Sequence, residues 1–205
     1  MIFGHRPRQG LYDPQFEHDA CGVAFVATMT GVASHEIVEQ GLEALRNLDH
    51  RGATGADPAA GDGAGILLQV PDAFLRRVTG IRLPEPGAYA VGLAFMPLDE
   101  AKRARARAAI ELIAADEGIE VLGWREVPVH THTLSKVSLG TMPHFEHLLI
   151  RDRDGRIGMD LERLAFVLRR RAQHEAGVYF ASLSSRTLVY KGMLTTNQLE
   201  EVFPE

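Results

Sequence analysis

Residues 50–65 read His50-Arg51-Gly52-Ala53-Thr54-Gly55-Ala56-Asp57-Pro58-Ala59-Ala60-Gly61-Asp62-Gly63-Ala64-Gly65. A run this rich in glycine does not continue through a helix or a strand interior, so it divides whatever lies on either side of it. On the N-terminal side, Ser34 is placed to cap a helix. Ile37, Val38, Leu42, Leu45 and Leu48 keep helical spacing, and Glu36 complements the helix dipole in the first turn. On the C-terminal side, residues 66–70 are continuously apolar apart from Gln69 and read as a buried strand. The chain is therefore expected to pass from helix to strand through a long glycine loop.

The same criteria extend in both directions. Residues 21–27 (Cys-Gly-Val-Ala-Phe-Val-Ala) are short and apolar and are bounded by Gly31, which predicts a buried strand starting at Cys21. Downstream, a strand is expected over 88–96, an alanine- and arginine-rich helix over 99–117 closed by Gly118, and a strand with breaks over 119–129. A helix over about 160–175 ends near Gly177, and strands follow over 178–183 and 186–191. Helices mixed with hairpin-forming strands define an α+β class, with helices layered on antiparallel or mixed sheets. Residues 1–20 have no sustained period and read as an arm or removable leader.

Composition narrows the function. With 205 residues and 45% hydrophobic content the chain can build a packed core, and its net charge is −5. No basic stripe interleaved with aromatics is present to follow a phosphate backbone, so nucleic acid is not an expected partner. The longest apolar runs are too short to span a bilayer, and the opening residues lack a secretory apolar stretch. The reading is no membrane and a cytoplasmic location.

There is one cysteine, Cys21, which excludes an internal disulfide and an all-cysteine metal site. A thiol at the start of a strand is rigidly held, and the adjoining Gly22 leaves room for another backbone or a substrate. If the Ala20–Cys21 bond is cut, the new α-amine, with an ordinary pKa of about 7.7–8.0, sits on the same residue as a thiol near 8.5. The amine then takes the thiol proton on attack and returns it to the departing ammonia, so a separate histidine is not required. The competing reading of a lone cysteine is a small buried core residue.

The residues around Cys21 resemble a known family. His18-Asp19-Ala20, Cys21-Gly22-Val23-Ala24-Phe25, Leu45-Arg46-Asn47-Leu48-Asp49-His50-Arg51-Gly52-Ala53-Thr54-Gly55-Ala56-Asp57 and Gly61-Asp62-Gly63-Ala64-Gly65-Ile66 closely resemble the class II glutamine amidotransferase domain that begins the large subunit of glutamate synthases. The run from Phe180 to Leu194 is similar to the same family, and the resemblance is weakest over 74–134. It implies an N-terminal-nucleophile hydrolase fold, an αββα sandwich. By the same resemblance residues 1–20 are expected to be a leader and 21–205 the N-terminal part of the amidotransferase domain, with Cys21 catalytic. The resemblance further implies that glutamine is hydrolysed through a thioester and that ammonia passes to a second site, where it joins 2-oxoglutarate with electrons supplied through FMN and an iron–sulfur cluster. Those cofactors belong to the complete enzyme and none is expected in this chain. The implied partners are glutamine, the remainder of the synthase chain and an electron-supplying subunit or donor protein.

Arg51 matches the family's His-Arg-Gly turn and is the candidate substrate-binding residue, where a cation favours a thiolate. The alternative role is to fix the turn by bonding loop carbonyls, with Gly52 and Gly55 serving backbone geometry. A phosphate cradle at 61–65 is rejected because such loops follow a strand and open a helix, whereas this one precedes a strand. His130 with His132, and His144 with His147, lack the further ligands a metal needs. Arg103, Arg105 and Arg107 read as a solvated helix face.

In one respect the sequence departs from the family. Its carboxylate-clamping arginine, oxyanion Asn-Gly pair and amine-binding aspartate lie further along than Glu205, so the chain is expected to be the N-terminal part of the domain, incomplete at the C-terminus, and inactive by itself. The alternatives to a glutamate synthase amidotransferase are a class II amidotransferase that passes ammonia to another acceptor and a non-catalytic truncated module.

Overall fold

The computed structural model describes residue 10, residues 22–52, residue 54 and residues 57–205. Cys21, Gly55 and, apart from Gly10, the leader lie outside the described residues. Elements follow in the order α1 (His35–Asn47), β1 (Ala64–Gln69), α2 (Asp72–Val78), β2 (Ala90–Met96), α3 (Glu100–Asp116), β3 (Ile119–Glu126) and α4 (Lys136–Thr141). After them come β4 (His144–Asp152), α5 (Met159–Arg171), β5 (Tyr179–Ser184), β6 (Thr187–Gly192) and α6 (Gln198–Val202). The class is α+β.

Among the described residues, β3, β4, β2 and β5 form one antiparallel sheet in that order, and β1 pairs with β6 in a second. Strand alternation then assigns the faces. Ala90, Ala94 and Met96 of β2 join Leu148 and Ile150 of β4 on one side. There they pack against Ala106, Ile110, Ile113 and Ala114 of α3 and Ala165 and Leu168 of α5. The intervening residues, Val91 and Leu93 of β2 with Phe145 and Leu149 of β4, share a second core with Leu188 and Tyr190 of β6. Ile66 and Leu68 of β1 and Leu42 and Leu45 of α1 border that second core. The outward residues of β1 remain in solvent, Leu67 being 64% exposed.

Local chemistry explains the elements that sequence reading anticipates. Asp99 caps α3 by accepting from the Lys102 amide at 2.8 Å, and Gly118 turns the chain at φ +73°, where a side chain is disfavoured. The helix from Met159 ends in a π-turn over Ala172–Ala176, and Gly177 at φ +67° releases it into β5. Ser34 occupies the N-cap position of α1 in extended backbone, without a side-chain capping bond among the described residues.

Three expectations are corrected. Residues 22–28 are irregular, and Val23 and Phe25 are 87% and 92% exposed. Apolar composition alone does not make a strand, because backbone donors and acceptors need a partner strand, and none pairs with this segment among the described residues. Arg103 and Arg107 do not belong to a solvated face: Glu146, with no solvent exposure, lies beneath α3 and draws both guanidinium groups onto it. Finally β4, a central strand, is absent from the sequence-based reading.

Candidate functional site

The turn after α1 is a single 3-10 turn over Asp49–Arg51. The Arg51 amide donates to the Leu48 carbonyl at 2.8 Å and the Gly52 amide to that of Asp49 at 3.0 Å. Gly22 packs directly on this turn. A β-carbon built on Gly22 would stand 3.1 Å from Arg51 Cβ and 3.2 Å from Leu48 Cδ2, so any larger residue there would press on the turn. The glycine following Cys21 in sequence is thereby brought against the arginine that sequence reading selected, across almost thirty residues of chain.

The glycine loop is built by close backbone contact. Asp57 accepts from the Ala59 amide at 3.0 Å, and Thr54 and Gly61 form an isolated antiparallel bridge. Gly61 is buried against the Leu194–Thr195 peptide: an added β-carbon would lie 2.3 Å from the Leu194 carbonyl oxygen. The loop then enters β1 and not a helix N-terminus, in line with the rejection of a phosphate cradle.

The segment following β6 completes the arrangement, and sequence reasoning gave no sign of it. Thr196 donates its hydroxyl to Asp49 at 2.6 Å. The buried Gln198 accepts from the Thr195 amide at 2.9 Å and donates to the carbonyls of Ala59 at 3.1 Å and Thr133 at 2.7 Å. No motif signals the bonds to Asp49, Ala59 and Thr133, since each joins a polar side chain to a residue far away in sequence.

The histidines do not converge. His144 and His147 lie on opposite faces of β4; His144 Nε2 is 3.1 Å from Glu146, whereas His147 Nε2 is 2.8 Å from the Tyr190 hydroxyl. His130 and His132 have ring centroids 6.0 Å apart. Among the described residues no group of three or more His, Cys, Asp or Glu is arranged to hold a metal, and no helix is long and apolar enough to cross a membrane. An iron–sulfur cluster takes several cysteine thiolates, which a chain with one cysteine cannot supply.

The glycine-framed turn and the α+β layering are accompanied by a family match. The Glutamine amidotransferases class-II family model matches residues 21–205. The chain belongs to this class II glutamine amidotransferase family. It is similar to the glutamate synthase [NADPH] large chain of Bacillus subtilis, at 41% identity over all of this chain and 14% of that protein. The Azospirillum brasilense glutamate synthase [NADPH] large chain is 35% identical over 95% of this chain and 13% of its own length. Ferredoxin-dependent glutamate synthase 2 of Synechocystis is 37% identical over 91% and 12%. The chain thus spans about one seventh of the length of the first of these relatives.

Proposed function

We propose that the chain is glutamine-hydrolysing machinery of a glutamate synthase, with Cys21 as nucleophile and Arg51 in the glutamine site. The observation that carries this reading is the packing of Gly22, next to Cys21 in sequence, on the turn that bears Arg51. Removal of residues 1–20 frees the Cys21 amine. The thiol proton passes to that amine as sulfur attacks the side-chain amide carbon, the C–N bond breaks, and the amine returns the proton to departing ammonia. Water then cleaves the thioester, releasing glutamate and restoring the thiol. The guanidinium of Arg51 favours the thiolate by its charge.

The fold proposed for the domain over 21–205 is the αββα sandwich of N-terminal-nucleophile hydrolases. Two sheets sharing one core, with α3 and α5 on the outer face of the larger, support it. The ammonia is used by the rest of the synthase to aminate 2-oxoglutarate reductively, in the cytoplasm. FMN and an iron–sulfur cluster, with an electron-supplying partner, belong to that remainder and supply the reducing electrons.

The test is Cys21→Ala in the complete enzyme. Glutamine-dependent synthesis should disappear while synthesis from added ammonia continues, because the two reactions use separate sites. Loss of both together contradicts the assignment.

A further inference from the structure

The turn over Asp49–Arg51, on which Gly22 packs, is also tied to the segment that follows β6. Asp49 begins the turn, and its Oδ1 accepts from Thr196 Oγ1 at 2.6 Å. The segment that carries Thr196 is itself fixed. Gln198 is 6% exposed and all its amide hydrogen-bonding groups are engaged: Oε1 by the Thr195 amide, Nε2 by the carbonyls of Ala59 and Thr133. Rotating that amide by half a turn would set its oxygen against two carbonyl oxygens, so the network defines one orientation. Gly61 lies flush on the Leu194–Thr195 peptide and seals the other side. Thr196 therefore projects from a hydrogen-bonded base onto the first residue of the turn.

We infer that Thr196 is a positioning residue for glutamine use. Its hydroxyl, through Asp49, sets the placement of the turn that carries Arg51 and receives Gly22. The inference rests on the proposed glutamine-hydrolysing role. It differs from a general docking role for α6, for which a second link exists: Arg46 of α1 pairs with Glu200 of α6 at 2.6 Å, at an exposed site. Both links are at exposed sites; Arg46–Glu200 joins α1 to α6 outside the turn, whereas Thr196 bonds the first residue of the turn itself.

The experiment compares the complete enzyme with Thr196→Val, Thr196→Ser, Asp49→Ala, Thr196→Val with Asp49→Ala, and Glu200→Ala. It measures kcat and KM for glutamine, the ammonia-dependent rate and thermal unfolding. Misplacement of a binding group on the scale of an ångström costs up to about 100-fold. Thr196→Val should lower kcat/KM for glutamine by about 10-fold or more, chiefly through KM, while the ammonia-dependent rate stays within about twofold. Thr196→Ser should restore most of the loss. The double variant should be no worse than the poorer single one, because both remove the same bond. Glu200→Ala should leave glutamine use unchanged. Unaltered kcat/KM in Thr196→Val, additive losses in the double variant, equal loss of ammonia use, or an equal loss in Glu200→Ala overturns the inference. If the unsubstituted enzyme does not consume glutamine, the functional reading itself fails, and this inference with it.

Discussion

His147 Nε2 and the Tyr190 hydroxyl stand 2.8 Å apart in the core between the two sheets, both buried. Burial, reinforced by the nearby Arg125 charge, holds the imidazole pKa down to about 3 from an ordinary 6.5. The folded protein therefore keeps His147 neutral where the unfolded chain binds a proton. Stability is fully present above pH 6.5 and is lost as pH falls toward 3, by at most about 1.4 kcal/mol per pH unit from this group. Urea unfolding between pH 7 and 4 should show that slope, and His147→Gln should reduce it. An unchanged slope in the variant contradicts this account.

Glycine substitutions should separate crowding from propensity. A β-carbon at position 61 meets backbone atoms of Leu194 and Thr195 at 2.3–2.5 Å, so Gly61→Ala should cost about 3 kcal/mol or more, since the contact is with main chain that cannot swing aside. At position 140, within α4, an added methyl meets open space, and Gly140→Ala should stabilise by about 0.5–1 kcal/mol. Denaturant midpoints of the two variants test both signs.

The arginines of α3 should behave unequally. Arg107 donates two hydrogen bonds to the fully buried Glu146, the one from Nε at 2.8 Å, and Arg103 Nε stands 3.6 Å from the same carboxylate. Arg107→Ala leaves that carboxylate under-satisfied and should destabilise by about 1–3 kcal/mol. Arg105, on the exposed side, should cost under about 0.5 kcal/mol. Equal losses at the two positions would restore the solvated-face reading.

These arginines also show where sequence reading stops. The third helix was legible because Asp99 and Gly118 mark its ends, and β2 because its run is apolar on both faces. The strand over His144–Asp152 was not, because Glu146 and His147 interrupt the apolar signal, and their partners lie on α3 and β6 and are invisible in a linear pattern. The opposite error fell on 22–28, where apolar residues suggest a buried strand, whereas all but the half-buried Val26 are exposed and none pairs with a strand among the described residues. At the candidate site, Arg51 is singled out by the His-Arg-Gly run alone. Its contact with Gly22 and the bond from Thr196 to Asp49 join distant segments through individual atoms, which no local period encodes.

Gly22 offers a direct probe of that contact. A methyl group there would approach Arg51 Cβ at 3.1 Å and Leu48 Cδ2 at 3.2 Å, closer than carbon atoms normally rest, so the turn must yield by a few tenths of an ångström. Gly22→Ala should therefore lower kcat/KM for glutamine by about 10-fold while ammonia-dependent synthesis persists. Glutamine kinetics equal to those of the unsubstituted enzyme would detach the Arg51 turn from the site.

The nucleophile itself is tested most directly by treating the complete, glutamine-using enzyme with a glutamine analogue that carries an electrophilic ketone in place of the amide, then mapping the adduct and the N-terminus by mass spectrometry. The account predicts one label per chain, on the sulfur of a Cys21 that is the first residue of the protein. An active enzyme that retains Met1, or a label on any other residue, would contradict it.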